Sequence, residues 1–318
     1  MNKITAPPQK HGPDIAFALL VALALFLGAC SGTRQKPPIR SLYYWSTTFV
    51  NDSLKRQFYK AHNVQRLYIR YFDVVKKPNQ EPLPNATIDF KDSVPQGIEV
   101  IPTVFITNEC MRQPPQFAEQ LWQRIRQMNE THGVKNVKEI QIDCDWSKQT
   151  QDVYFQFLRR LHQLLAKAGL KLSVTIRLHQ LGMQAPPVDK GTLMLYNTGD
   201  FRQLSNQKPI LDPEVVRQYI GGLRSYSLPL NAAYPLFRIR ALFRSGKFVG
   251  IIHTKDEYPV LPTDSVAVRE TTLADLQSVQ RLINKHRPDV HNEIILYDIN
   301  NRNLTKYSSN DYEKIYNP

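Results

Sequence analysis

The segment Ile140-Gln141-Ile142-Asp143-Cys144-Asp145-Trp146-Ser147 places two carboxylates two residues apart within an otherwise apolar run. On a strand, where side chains alternate between faces, Ile140, Ile142 and Cys144 share one face, and Gln141, Asp143 and Asp145 share the other. Carboxylates on an inward face are costly unless cations pair with them or their protons are used. Two kinds of chemistry are therefore open: acid catalysis by one carboxyl beside an ionised partner, or a salt-bridge network with structural purpose only. A second run supplies the cation. In Ser173-Val174-Thr175-Ile176-Arg177-Leu178-His179, the polar Ser173, Thr175, Arg177 and His179 alternate with Val174, Ile176 and Leu178. Arg177 would hold Asp143 ionised, and His179 would serve as a ligand or proton carrier. A lone histidine at a strand end is more often a hydrogen-bonded filler than a catalyst.

These residues need a frame, and the periodicity of the chain indicates which one. Short β-rich runs recur at Ser41–Trp45, Arg66–Phe72, Glu99–Ile106, Glu139–Asp145, Lys171–Leu178, Thr192–Tyr196, Pro229–Tyr234 and Glu293–Tyr297. Helical patterns lie between them at Leu54–His62, Gln116–Thr131, Asp152–Ala168, Pro213–Leu223 and Thr272–His286, with a short terminal helix near Asn310–Tyr316. Alternation of this kind is an α/β pattern. Eight strand–helix units predict a (β/α)8 TIM barrel over residues 41–318, with a β-hairpin inserted after strand seven around Ser245-Gly246. An alternative makes Phe248–Ile252 the eighth strand, but then the Ser-Gly turn and its flanks go unexplained. In such barrels chemistry gathers at the C-terminal ends of the strands, where Asp143 and Arg177 fall.

Asp143-Cys144-Asp145-Trp146 resembles the Asp-x-Asp-Trp segment of family 18 glycoside hydrolases, and Met194-Leu195-Tyr196-Asn197 is similar to that family's Met-x-Tyr-Asp segment. The chain also resembles uncharacterised bacterial lipoproteins with glycosidase-like barrels. The resemblance implies a (β/α)8 barrel and a carbohydrate ligand or substrate. It departs from the family at three places. Ser147 stands where the proton-donating Glu would follow the Trp, Ile140 replaces the first motif Asp, and Asn197 replaces the strand-six Asp. A serine cannot protonate a glycosidic oxygen as a carboxylic acid with a raised pKa can. If the barrel is an enzyme, Asp145 is the expected acid and Asp143 its partner, with Glu109, Asp73 and Asp298 as further acids near strand ends. Arg177 would tune them, and Tyr196 and Asn197 would position the sugar. If catalysis is lost, Tyr43, Tyr44, Trp45, Trp146 and Tyr196 offer stacking surfaces for a bound glycan, although aromatics in barrels more often fill the core. Arg70 on strand two, and Asn231 with Tyr234 on strand seven, would line the same mouth.

Basic Lys3 and Lys10 precede an apolar run from Ile15 to Ala29, too short for a comfortable membrane span but suited to a signal peptide over residues 1–29. Leu27-Gly28-Ala29-Cys30 resembles the bacterial lipobox. It implies that Cys30 carries acyl chains such as palmitate, that residues 30–40 form a tether, and that the protein is anchored in the cell envelope, at the outer membrane. The formal net charge of +13 favours anionic partners such as acidic glycans or lipid head groups. Export and the lack of a basic arm with interleaved aromatics argue against nucleic acid. No phosphate loop, nucleophile elbow or His-Glu-x-x-His helix is present, the eight histidines are scattered, and no cofactor or metal is expected. Cys110 and Cys144 are left as either a disulfide or a buried pair of free thiols.

Overall fold

A computed structural model describes Met1 and residues 37–77, 80–112, 117–253 and 257–318. The leader, the lipobox and Cys30 lie outside the described residues. Pro38–Pro318 is one compact unit. Eight parallel strands close on themselves within it: β1 Ile39–Tyr44, β2 Arg66–Val75, β3 Glu99–Ile106, β4 Glu139–Asp143, β5 Lys171–Arg177, β6 Lys190–Met194, β7 Leu230–Pro235 and β8 Glu293–Tyr297. Each pairs with its neighbours in chain order. β1 closes the ring by pairing Leu42 with Leu67 on one side and with Leu296 on the other. The fold is an α/β TIM barrel, and Glu293–Tyr297, not Phe248–Ile252, is its eighth strand.

Strand composition follows from burial on both faces. Leu42, Leu67, Ile140, Ile142, Leu172 and Val174 pack outward beneath the helices. Tyr43, Tyr68, Ile101, Met194, Ala233 and Ile295 point into the barrel. The helices are α1 Ser53–Ala61, α2 Ala118–Thr131, α3 Gln151–Lys167, α4 Pro213–Tyr219, α5 Leu273–His286, α6 Asn301–Leu304 and α7 Ser309–Tyr316. Caps set several of their starts, as where Asp52 accepts from Lys55 N at 3.0 Å and Thr272 from Asp275 N at 3.1 Å. α3 buries Tyr154, Phe155, Leu158, Leu161 and Leu165 along one stripe and stops at Gly169, whose φ of +72° only glycine adopts freely. Among the described residues no helix is long and apolar enough to cross a membrane.

The expectation that every strand is followed by a helix does not hold. After β2 the described chain forms two short strands instead. Leu83–Asn85 pairs antiparallel with the end of β2, and Asp89–Phe90 pairs with Thr48–Phe49. After β5 it makes only the 3-10 turn Leu178–Gly182. The insertion after β7 is larger than a hairpin. Arg238–Arg244 pairs with Lys247–Ile251 through a turn in which Ser245 (φ +49°) and Gly246 (φ +76°) are both left-handed, the requirement of a tight type I′ hairpin. A third strand, Ser265–Glu270, adds to the other edge. Its Ser-Val-Ala-Val-Arg-Glu alternation is short, and the exposure of Val266 and Val268 shows why burial did not demand it.

The N-terminal end of the barrel is plugged by charge. Glu293 Oε1 accepts from Ser41 Oγ at 2.7 Å and from Tyr68 OH at 2.9 Å. Its Oε2 faces Arg66 Nη1 at 2.8 Å, Asn231 Nδ2 at 2.7 Å and Lys190 Nζ at 3.2 Å. Lys190 also bridges to Glu139 at 2.9 Å, and Arg66 to Glu99 at 3.2 Å. Burial alone would raise Glu293, but Lys190, Arg66 and the two hydroxyl donors outweigh it and hold the carboxyl below its usual range. Glu139, buried with fewer donors, is pushed up. At this end of a barrel such a network serves stability. It also corrects one expectation. Asn231 does not line the mouth, because it stands at the start of β7 with its amide on Glu293.

Candidate functional site

Above the plug, the barrel interior becomes a ladder of uncharged hydrogen bonds. Tyr43 OH donates to Gln141 Oε1 at 2.5 Å, and Gln141 Nε2 donates to Thr192 Oγ1 at 3.0 Å. One step higher, Asp143 Oδ1 accepts from Thr175 Oγ1 at 2.6 Å and from Arg177 Nη2 at 3.0 Å. The expected inward line of Gln141, Asp143 and Arg177 is therefore present. Burial pushes the Asp143 carboxyl up, against the pull of Arg177 and Thr175.

Asp145 takes a different place from its expected inward one. β4 ends at Asp143, so Asp145 lies on the loop beyond it with 58% of its side chain exposed, ion-paired to Arg177 Nε. The two acids thus share one guanidinium across the rim, one buried and one in solvent. Gln180 holds this arrangement from below. Its buried amide accepts from Arg177 N at 2.8 Å and donates to Trp146 O at 2.9 Å, tying the loop after β4 to the turn after β5.

Two strands along the ring from β4, β2 bulges at Tyr71, where the register against β3 shifts between Arg70 and Phe72. Strict alternation would turn Asp73 away from Arg70. The extra residue brings both to the mouth, and Arg70 grips Asp73 with two nitrogens, Nε at 2.7 Å and Nη2 on the second oxygen. The same guanidinium lies 5.6 Å over the ring of Trp45. Between the two arginines stands an aromatic cluster. Tyr196 stacks on Tyr297 with centroids 4.9 Å apart, and Tyr297 meets Trp45 at 5.5 Å and Phe237 at 5.8 Å. Trp45, Phe237 and Tyr297 are half-buried, so parts of their surfaces face solvent. Tyr297 and Phe237 were not picked out from the sequence. Tyr297 alternates with Glu293 and Ile295 on β8, a period that marks it as inward.

Several expected site residues lie elsewhere. Trp146 is 1% exposed and packs against Tyr154 and Phe155 of α3, so it is core and not a sugar platform. Tyr234 points outward from β7, fully buried, with its hydroxyl 2.6 Å from His291 Nε2. Tyr44 also packs outward, against Phe49. Tyr43 lies inside the barrel beneath the mouth, with no exposure. Ser147, at the place of the family acid, donates its backbone N–H to Thr150 Oγ1 at 3.0 Å in the turn leading to α3. Asp298 is engaged by Asn303 Nδ2 at 2.7 Å, and burial raises it. Glu109 is exposed on the 3-10 turn after β3. Cys110 and Cys144 are both free and buried.

His179 and Asn197 stay at the mouth, both exposed. With Asp145, Arg177, Tyr196 and Tyr219 they line a cleft of about 300 Å³ beside the aromatic cluster. The mouth can therefore offer amphipathic ring faces flanked by hydrogen-bonding groups, and each of its arginines is already held by carboxylate.

No protein-family model matches the sequence, and no curated protein matches it. Solved structures do match in shape. The spore cortex-lytic enzyme SleL of Bacillus cereus is similar with a TM-score of 0.56 and 15% identity, over 87% of this chain and 73% of that one. A chitinase from Chromobacterium violaceum gives 0.55 at 12% identity, over 87% and 98% of the two chains. A chitinase-like agglutinin from Robinia pseudoacacia gives 0.54 at 13% identity, over 87% and 99%. At these identities the likeness is one of fold.

Proposed function

We propose that the barrel mouth binds an extracytoplasmic carbohydrate without cleaving it. The observation that carries this reading is the state of the carboxylates. Asp73 is gripped by Arg70, Asp143 and Asp145 share Arg177, and a serine occupies the donor position next to Trp146. Most glycosidases need a carboxylic acid free to protonate the leaving oxygen. What remains is a ring of Trp45, Tyr196, Phe237 and Tyr297 suited to the C–H faces of sugars. The neighbouring folds include an agglutinin as well as a chitinase and a spore cortex-lytic enzyme, so the architecture is compatible with either use.

A second reading rests on Asp143, whose carboxyl is raised by burial and lies beneath the mouth beside Arg177. One experiment separates the two. The purified protein is titrated calorimetrically with a panel of neutral and acidic polysaccharides, and each mixture is assayed for released reducing ends. Binding of at least one glycan with no release is expected. Release that disappears in Asp143→Asn would establish the hydrolase instead, and absence of binding to every glycan would end the carbohydrate reading.

The resemblance of Leu27-Gly28-Ala29-Cys30 to the lipobox supports a membrane surface as the setting of this activity. The protein is anchored through acyl chains on Cys30 in the bacterial cell envelope, at the outer membrane, and the tether ends before β1 begins at Ile39 and not at residue 40. Labelled palmitate fed to expressing cells is expected to enter the native chain and not Cys30→Ser. Equal labelling of both would refute the anchor.

A further inference from the structure

The cleft beside the aromatic cluster is walled by the turn after β5, where no helix follows the strand, and by α4. With only the turn Leu178–Gly182 there, the segment following β6 folds over it. Gly222, just beyond α4, comes so close to Leu181 that a Cβ would sit 2.6 Å from its carbonyl oxygen. This packing carries the last residue of α4, Tyr219, to the cleft wall, where it stays 42% exposed. Tyr219 thus presents an open aromatic face beside polar groups. The floor is apolar, from Met194 and Val215, and the rim carries His179 and Asn197. That is the complement of a sugar ring, with C–H bonds on its face and hydroxyls around its edge. Among the lining residues, Arg177 is the one permanent cation, and two carboxylates hold it. The cleft therefore has no spare positive charge, although the whole chain is strongly basic.

We propose that this cleft is a second subsite for the same glycan. It takes an uncharged, hydroxyl-rich ring of a chain that runs from the central cluster across Tyr196, and Tyr219 supplies its outer stacking face. The proposal rests on the carbohydrate reading above and deepens it. Tyr196 joins the two subsites, since it stacks on Tyr297 and also lines the cleft.

The test is calorimetric titration of the full-length chain in detergent with four probes: the dimer and hexamer of β-1,4-linked N-acetylglucosamine, cellohexaose and hexagalacturonate. A neutral hexamer is expected to bind more tightly than the dimer and than hexagalacturonate. Tyr219→Ala should weaken hexamer binding about tenfold and leave the dimer unchanged, while Tyr219→Phe keeps native affinity. Tyr297→Ala should weaken both lengths. Unchanged hexamer affinity in Tyr219→Ala, or tighter binding of hexagalacturonate than of either neutral hexamer, overturns the subsite and leaves the central reading standing. Failure of all four probes to bind overturns the subsite together with the reading beneath it. Tyr219 is exposed at a helix end, so its replacement leaves the fold intact.

Discussion

Glu293→Ala is expected to lower stability by about 3–5 kcal/mol, the usual consequence of removing one partner from a buried ion pair. Glu293 is 2% exposed and ties β8 to β1, β2, β6 and β7 at the base of the barrel, with Arg66 and Lys190 both facing the same oxygen. Without it, two cations are left close together, with only Glu99 and Glu139 to offset them, and the Ser41 and Tyr68 hydroxyls and the Asn231 amide lose their acceptor. The loss has a pH signature. A carboxyl held below its usual range in the folded state stabilises above the unfolded pKa, and that contribution disappears as pH falls through the folded pKa. The stability difference between the native chain and Glu293→Ala should therefore be full at pH 7 and shrink in acid, below the ordinary glutamate value of 4.5. Urea denaturation at a series of pH values measures it. A difference that stays constant from neutral to strongly acid pH would show that Glu293 acts through packing and not through charge.

Arg177→Ala is expected to have an effect of the same order, about 3 kcal/mol, because it strands Asp143 in a buried site with Thr175 as its remaining partner. The sign of its pH dependence is the reverse of a paired carboxylate's. A carboxyl whose folded pKa is already raised favours folding below the unfolded pKa, and that advantage is lost as pH rises through the folded pKa. Removing the guanidinium raises Asp143 further, so the damage should be greatest at neutral pH and fade as the solution becomes acid enough to protonate it. The second-site variant Arg177→Ala/Asp143→Asn should recover most of the loss, since the amide leaves no buried charge. Asp145→Asn alone should cost little, because an exposed ion pair contributes about 0–1 kcal/mol. No recovery in the double variant would mean that Arg177 stabilises the mouth through its stem or through the Gln180 bridge.

Much of this architecture was legible in the order of residues. All eight barrel strands, the hairpin turn at Ser245-Gly246 and most helices follow from apolar spacing and turn residues, which act within a few positions of the chain. The i, i+2 pattern in Gln141 and Asp143 likewise told that both side chains face inward. The pattern stopped being informative where strands stopped. Asp145 sits two residues past the end of β4, and from there alternation no longer governs where a side chain points. Trp146 illustrates the same limit, since its burial against Tyr154 and Phe155 depends on how α3 docks.

What the sequence determined by itself was a closed parallel barrel with acids and an arginine on adjoining strands near their C-terminal ends, because periodicity is a local property and registers it directly. Tertiary structure alone decided which charges neutralise one another. The bulge at Tyr71 brings Arg70 onto Asp73, the ring closure brings Ser41, Arg66 and Lys190 onto Glu293, and the short turn after β5 walls the cleft that Tyr219 faces. Those partnerships join residues up to 252 positions apart, and a side chain's charge is set by whichever neighbour the completed barrel delivers to it.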